Sequence, residues 1–174
     1  MANTNNIQLG PATVAFSGTI GSIAYTSLDL GAFTTDGVVV SITDDVVEVA
    51  TDQTGTAPAR IFLGGQTATV TTPMSEEVFD QTYLSLVGSV SGTDNRIDFG
   101  RSAGYDVGTN WSGQLTITPT DATRDKWVFY KCHPIGEKSF NYNSTSETVL
   151  NVEWRITPDT SLDDGKRLGY RSSQ

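Results

Sequence analysis

Apolar and polar residues alternate along much of this chain with a period of two, the spacing of a β-strand that has one buried and one solvated face. The segment "TVLNVEWRIT", residues 148–157, shows the alternation most clearly. One face carries Thr148, Leu150, Val152, Trp154 and Ile156, and the other carries Val149, Asn151, Glu153, Arg155 and Thr157. This pattern predicts a half-buried strand.

Three further segments predict strands that end at turn residues or at a proline. "DGVVVSITDDVVEV" follows a turn at Asp36-Gly37 and predicts two strands, broken at Thr43-Asp44-Asp45. "QTATVTT" and "GQLTITPT" are Thr-rich and alternating, and Pro119 closes the second. A fourth segment, "KWVFYKCH", is apolar on both faces, which predicts a strand in the centre of a sheet or under a subunit contact.

One segment, "TPMSEEVFDQTYLSLVG", has helical spacing instead. Thr72 is suited to the N-cap, Pro73 to the first helical position, and two acids follow close to the positive end of the helix dipole. The apolar stripe consists of Phe79, Tyr83, Leu86 and Val87. With Gly88 as the stop, the pattern predicts one helix over about 73–87, packed across a sheet.

The remaining segments predict loops and ends. Residues 91–113 are rich in Gly and Asp and predict either an exposed loop or a poorly formed hairpin. Residues 1–8 contain neither a basic nor a long apolar segment, so we expect a flexible arm there rather than a signal peptide. The polar residues 166–174 predict a projecting tail.

These elements predict one domain over residues 1–174 that is mainly β. The expected architecture is an antiparallel β-barrel or sandwich with one flanking helix and extended loops and arms. A chain of 174 residues with 37% apolar content can bury a core without disulfides or metal. Its one cysteine, Cys132, excludes an internal disulfide, and no apolar run approaches the roughly 20 residues of a membrane span.

The net charge of −9 is unevenly distributed. Nine acids and one base lie in residues 1–80, which gives −8, whereas eleven acids and ten bases in residues 81–174 give −1. This balance disfavours any function that depends on gripping nucleic-acid phosphates. It favours a soluble acidic face, or a surface that repels a polyanion or meets a basic partner.

Catalytic groups are scarce. The single histidine, His133, adjoins Cys132, and neighbouring residues of a strand point to opposite faces, so the two cannot form a dyad. No other soft ligands are present for zinc, and no phosphate-binding glycine loop occurs. The acid pairs Asp44-Asp45 and Asp163-Asp164 are turn-like, and nothing indicates that they flank a cleft as a glycosidase requires. We therefore expect no enzyme, metal or cofactor.

The tryptophans leave one binding hypothesis open. Trp127 and Trp154 lie in strand patterns and predict core residues, while Trp111 lies in the irregular region and could be exposed. An exposed Trp111 beside polar groups would suit a carbohydrate-binding β-sandwich module, which is the alternative from a different functional class.

The order of segments resembles the tail tube (major tail) proteins of long-tailed bacteriophages and the tube proteins of related contractile injection systems. An N-terminal "LGPATVAFSGT" is followed by a strand pair that runs into "EVATDQTG", then by a glycine, a strand and an acidic, capped helix. The closing "NVEWRITPDTSLDDGKRLGY" is also similar to that family. The resemblance covers most of residues 9–90 and 145–170 but not the middle of the chain.

The resemblance implies a β-barrel-like subunit that forms hexameric rings, stacked into a tube through which DNA is ejected. It implies a loop in contact with the next ring or subunit, an acidic lumen or rim, and an outer helix. The candidate contact residues are Glu48, Asp52, Gln53, Thr54, Gly55 and Arg60. The candidates for the lumen or rim are Asp44 and Asp45, and those for the outer helix are Glu76, Glu77 and Asp80.

The implied partners are further copies of the chain, tape-measure, baseplate and tail-terminator proteins, and possible contact with a sheath. Genomic DNA would pass through without specific binding, and the expected location is the virion tail, assembled in the host cytoplasm. A baseplate tube-initiator or a tail-completion protein of the same fold remains an alternative within this resemblance.

Overall fold

The computed structural model describes residues 11–21, 23–31, 37–50, 58–75, 79–91, 96–135, 138, 140 and 149–174. These residues form strands β1 (Ala12–Ile20), β2 (Ile23–Asp29), β3 (Val39–Ala50), β4 (Pro58–Met74), β5 (Ser89–Ser91), β6 (Arg96–Asp98), β7 (Trp111–Pro119), β8 (Lys126–Pro134), β9 (Leu150–Ile156) and β10 (Gly169–Ser172). Helix α1 (Phe79–Leu86) lies between β4 and β5, and the short α2 (Val107–Asn110) precedes β7.

Eight of the strands form one antiparallel sheet in the order β2-β1-β7-β8-β9-β4-β3, with β10 paired to β8 beside β9. The sheet is strongly curled. Phe16 of β1 and Trp154 of β9 are separated by two strands in the sheet, yet their rings stack with centroids 5.6 Å apart. The prediction of a mainly β, antiparallel fold with a flanking helix is confirmed.

The strand over residues 150–156 alternates between buried and exposed positions along its whole length, as its sequence predicts. Strand β8 lies between β7 and β9, which confirms the central position predicted from its apolar faces. The core is built from the inward residues of β1, β4, β7, β8 and β9 together with Tyr83 and Leu84 of α1. Trp111 is part of this core and donates its indole N–H to the carbonyl oxygen of Leu84, 2.8 Å away.

Two predicted element boundaries are wrong. Residues 39–50 are one continuous strand rather than two strands broken at Thr43-Asp44-Asp45, because every residue from Val39 to Ala50 pairs with β4. The predicted helix over about 73–87 is also too long. Thr72 and Pro73 belong to β4 and pair with β9, and the described helix spans Phe79–Leu86.

The reason for the second error lies in the partners of β4. The Thr72 hydroxyl lies inside the core, where it forms two hydrogen bonds to β9, and so it does not cap a helix. Pro73 fits the strand because the pairing of β4 with β3 ends at Thr71, so its missing N–H leaves no gap on that side. Residue Val87, with φ 52°, ends the helix in the left-handed conformation one position before the predicted Gly88.

The predictions for the loops and the C-terminus are also revised. At residues 89–98, β5 and β6 pair as a short two-stranded sheet, which agrees with the hairpin alternative, and the helical turn α2 follows. Gly169–Ser172 does not project as a tail, since it pairs with Phe129–Lys126 of β8. The predicted arm over residues 1–8 lies outside the described residues.

Candidate functional site

The β3–β4 hairpin extends well beyond the rest of the sheet. Strand β9 covers β4 only from Ala68 to Met74, whereas β3 and β4 remain paired down to Ala50 and Pro58. The distal part, residues 43–50 and 58–67, is therefore a two-stranded ribbon. We call this ribbon the arm; it is distinct from the flexible arm predicted over residues 1–8. Every side chain described in the arm is exposed.

The arm is rich in large apolar residues on both of its faces. Their side chains are between 42% and 61% exposed: Val46, Val47, Val49, Ile61, Phe62 and Leu63. The register pairs Val46 with Leu63 on one face and Val47 with Phe62 on the other. A monomeric protein seldom leaves such a patch in water, and patches of this kind mark contact surfaces.

A bulge at Gly64 sets this arrangement. The register shifts between Asp45 and Val46, where Asp45 pairs with Gly65 and Val46 with Leu63, so Gly64 is the extra residue. A Cβ at Gly64 would lie 3.1 Å from the Asp45 carboxylate, so this position favours glycine. The sequence "GG" is therefore part of a strand and not the end of a loop.

The arm leaves strand edges without a partner in the part of the chain that the structure describes. β3 is the last strand of the sheet, so its outer edge is bare, and β4 has only β3 beside it from residue 58 to 67. At the opposite end of the sheet, β2 has a second bare edge. Bare edges of this kind pair readily with a strand from another chain.

A cleft of about 610 Å³ lies between the base of the arm and the C-terminal segment. It exists because β9 stops before Pro158, which has no N–H for a ladder, and β10 then takes the place beside β8 without reaching β4. Ile42, Leu63, Gly64, Gly65 and Gln66 line one wall, and the other is lined by Trp127, Phe129, Pro158, Asp164, Gly165, Arg167, Leu168, Gly169, Tyr170 and Arg171.

The second wall of the cleft combines aromatic rings with cations. The Arg171 guanidinium lies 5.5 Å from the centre of the Trp127 ring and forms a 3.0 Å ion pair with Asp125. Arg167 is exposed and donates from Nε to the carbonyl oxygen of Leu162. This wall therefore offers an apolar surface with positive charge at its rim.

The predicted contact residues are only partly within the described chain. Glu48 and Arg60 are both exposed on the arm, where they pair with Ile61 and Val49 respectively. Their adjacent positions in the ladder place them on opposite faces. Asp52, Gln53, Thr54 and Gly55 lie outside the described residues.

The two candidates for an acidic lumen do not share a face. Asp44 and Asp45 are successive residues of a continuous strand, so their side chains point to opposite sides of the arm. Asp44 accepts a 2.8 Å hydrogen bond from the Gln66 amide, its partner in the ladder. Asp45 shares its face with the hydroxyl residues Thr43 and Thr67.

Of the candidates for an outer helix, Glu76 and Glu77 lie outside the described residues. Asp80 is in the first turn of α1 and is half-buried. It accepts a 3.1 Å hydrogen bond from the Tyr25 hydroxyl of β2, so Asp80 faces the sheet and not only solvent. Burial and the Asp80 charge raise the pKa of Tyr25 well above its ordinary value.

The two residues considered for catalysis, Cys132 and His133, are both buried in the fold. His133 is buried, with Nδ1 2.9 Å from the Trp111 carbonyl oxygen and Nε2 2.7 Å from the Thr157 hydroxyl. A carbonyl oxygen only accepts, so Nδ1 donates the hydrogen bond to Trp111. Cys132 is also buried, and burial raises the pKa of its thiol to about 12.

Further candidates from the sequence are likewise accounted for. Trp111 is fully buried, so the prediction that it could be an exposed sugar-stacking residue is wrong. Asp163 pairs with Lys166 at 3.3 Å on the surface. Among the described residues, no group of three or more His, Cys, Asp and Glu side chains could hold a metal ion.

The sequence carried a signal for the apolar arm that periodicity alone did not reveal. "VVEV" and "RIFL" place apolar residues at successive positions, so both faces of the ribbon are apolar. The same feature in β8 predicts burial of both faces, and there no side chain from Lys126 to Pro134 is exposed. In the arm, every described side chain is exposed.

No protein-family model matches this chain, and a search of curated proteins finds no match. In the described part of the chain, no helix is long and apolar enough to cross a membrane. The functional argument therefore depends on the arm, the bare edges and the cleft.

Proposed function

We propose that this protein is a structural subunit that acts by self-assembly, with the arm as its principal contact surface. The single observation that carries the proposal is the projecting ribbon with large exposed apolar residues on both faces. Burial of one such side chain stabilises by about 1.5–3 kcal/mol, so covering six of them gives a strong drive to associate. Contact with water is unfavourable for these apolar side chains, and contact with a second subunit would remove it.

The form of assembly that fits best is the stacked ring of a phage tail tube. The bare edges of β2 and β3 lie at opposite ends of the sheet, so pairing one edge with the other on the next subunit is head-to-tail. Repeated contacts of this type close into a ring when the rotation permits. The arm, which extends along the strand direction, is then free to contact the adjacent ring.

The polar face of the sheet suits a water-filled lumen. Asp45 shares this face with Thr43, Thr67, Thr69 and Thr71, beside the apolar Val39 and Val47, and Asp44 faces the other way. Between the two acids, Asp45 is therefore our candidate for the lumen. An acidic, hydroxyl-lined wall would repel DNA phosphates and let DNA pass without specific binding.

In this proposal the protein belongs to the virion tail, assembled in the host cytoplasm, with tape-measure, baseplate and tail-terminator proteins as its partners. Helix α1 would lie on the outer side of the eight-stranded sheet, where a neighbouring subunit or a sheath protein would touch it, while Asp80 itself stays bonded to Tyr25. No step of this function requires a cofactor, a metal or catalysis.

The test is a single charge placed on the arm. Val47→Asp adds a carboxylate to a half-exposed apolar position, so self-association measured by analytical ultracentrifugation is expected to weaken at least about tenfold. The matched control is Ala122→Asp, which adds the same charge at an exposed turn. Both variants are expected to keep the unfolding free energy of the monomer within about 0.5 kcal/mol of the original chain.

The proposal is wrong if Val47→Asp assembles as well as Ala122→Asp does. It is also wrong if the loss of association follows a large loss of monomer stability, because the arm would then be part of the monomer's own core.

A further inference from the structure

The cleft between the base of the arm and β10 is an uncovered surface with apolar and aromatic lining. Its two walls come from different parts of the chain: Ile42 and Leu63 on the arm side, and Trp127, Tyr170 and the arginines on the other. Beside it lies the bare edge of β4, which β9 no longer covers. An extended segment from outside would find both apolar walls and an unpaired strand edge.

The size of the cleft selects a short piece of β-structure. A strand residue occupies roughly 160 Å³, from a rise of about 3.4 Å, a strand spacing of about 4.8 Å and a sheet thickness of about 10 Å. An open cleft of about 610 Å³ is on this scale, so a short stretch of ribbon, on the order of two cross-strand pairs, can enter it.

The arm contains two adjacent pairs of matching chemistry. Val47 pairs with Phe62, and Glu48 pairs with Ile61. The first pair is wholly apolar and the second combines one apolar residue with one carboxylate, on the opposite face. The cleft has the same asymmetry, with one apolar wall and one wall that carries Arg167 and Arg171.

Charge complementarity extends beyond these residues. The described arm carries three acids, Asp44, Asp45 and Glu48, against the one base Arg60. The cleft lining carries one acid, Asp164, against Arg167 and Arg171. Because Arg171 already has Asp125 as a 3.0 Å partner, Arg167 is the cation more available to an incoming carboxylate.

We propose that the cleft of one subunit receives the arm of a second copy of this chain, with Val47 and Phe62 against the Ile42–Leu63 wall and Glu48 towards Arg167. The inference rests on the proposed self-assembly and deepens it by identifying the receiving surface. It explains why both faces of the arm are apolar, since the walls of the cleft cover both. Arm and cleft are different surfaces, so the contact is head-to-tail and repeats from subunit to subunit.

The experiment is a charge swap between the two surfaces. Glu48→Arg and Arg167→Glu each bring like charges together, so each variant alone is expected to weaken self-association about fivefold in analytical ultracentrifugation. The chain that carries both substitutions restores an opposite pair and is expected to associate within about twofold of the original. A double variant that is as weak as the two single effects combined overturns the proposal.

Disulfide trapping provides the second measurement. A chain with Ile61→Cys mixed with a chain with Tyr170→Cys is expected to form a covalent heterodimer on mild oxidation, while the buried Cys132 stays out of reach. Replacing Tyr170→Cys by Ala103→Cys, at an exposed turn elsewhere, is the control and is expected to give none. A heterodimer yield with Tyr170→Cys no higher than that with Ala103→Cys would overturn the proposal.

These outcomes separate the receiving surface from the proposed function. If Val47→Asp blocks association but the charge swap and the trapping both fail, the subunit self-assembles and the arm binds elsewhere. If the original chain does not associate under any condition, both the cleft contact and the proposed function are wrong.

Discussion

Thr72 joins two strands of the core through one hydroxyl group. The hydroxyl donates to the carbonyl oxygen of Val152 at 3.3 Å and accepts from the indole N–H of Trp154 at 2.8 Å, all fully buried. A buried indole N–H that loses its acceptor keeps its full desolvation cost. Thr72 therefore holds the inner part of β4, from which the arm extends, against β9.

Replacing this hydroxyl by a methyl group tests that role. Thr72→Val is expected to lower the free energy of unfolding by about 1–3 kcal/mol, measured by urea denaturation, because Trp154 is left without its acceptor. Thr13→Val, at an exposed position with a weaker 3.4 Å hydrogen bond, is the matched control and is expected to change little. Equal effects at both positions would contradict the role of Thr72.

Tyr25 makes the stability of the folded chain fall at high pH. Burial first, and then the charge and hydrogen bond of Asp80, raise the pKa of Tyr25 above its ordinary value near 10. Below about pH 10 the phenol is protonated in both the folded and the unfolded chain, so its contribution is fully present. As the pH rises further, the unfolded chain loses this proton first, and stability falls.

The expected result is a decline in the urea midpoint above about pH 10 that is shallower in Tyr25→Phe, which keeps the ring but has no proton to lose. Burial raises the pKa of Tyr83 as well, so part of the decline remains in this variant. An identical decline in Tyr25→Phe and the original chain would show that the Tyr25–Asp80 contact does not control it.

At the scale of elements, β1 and β7 approach each other closely at a glycine pair. Gly18 and Gly113 are partners in the ladder, and a methyl group at Gly113 would overlap the Phe16 ring and lie 2.7 Å from the Ser17 carbonyl oxygen. Close approach at this point lets Phe16 reach across to Trp154. The curl of the sheet therefore depends on the absence of a side chain.

Gly113→Ala is accordingly expected to destabilise the fold by at least about 1–3 kcal/mol through overpacking, as a thermal unfolding scan would measure. The control is Gly65→Ala in the arm, where a Cβ would meet nothing within 4 Å. A Gly113→Ala variant that is as stable as Gly65→Ala would contradict the close approach.

Sequence patterns predicted strands such as β7 and β9, where one face is buried, because alternation reports burial directly. They did not predict β1 and β2. They failed at boundaries that tertiary partners decide. Thr72 and Pro73 are residue types that favour the start of a helix, yet both belong to β4 and pair with β9. The break predicted at Asp44-Asp45 disappears because a bulge at Gly64 on the partner strand keeps the ladder continuous.

Two of the candidate contact residues, Glu48 and Arg60, lie on the arm, but the form of the arm could not be predicted from the sequence. The resemblance implied a contact region that includes Glu48 and Arg60, but the alternation of a single strand cannot show how far its neighbours extend. Only the pairing shows that β9 stops at Ala68 of β4 and leaves ten residues of that strand with one partner. The cleft was equally invisible, since it joins residues about one hundred positions apart, such as Leu63 and Tyr170.

At the scale of the whole molecule, the described part of the chain leaves large apolar side chains and strand edges uncovered. The projecting arm, two bare sheet edges and a cleft with matching chemistry all point outward. The first 80 residues, which contain the arm, carry a charge of −8, whereas the remaining residues carry −1. In the proposed assembly, this asymmetry would suit contacts between unlike surfaces of neighbouring subunits and an acidic lumen that repels DNA.

The most direct test of the central claim is electron microscopy of the purified chain, concentrated with and without a nucleating tail partner. The account predicts rings or tubes of constant diameter, lost in Val47→Asp and kept in Ala122→Asp. A chain that remains strictly monomeric at high concentration under both conditions, with no rings visible, would contradict it.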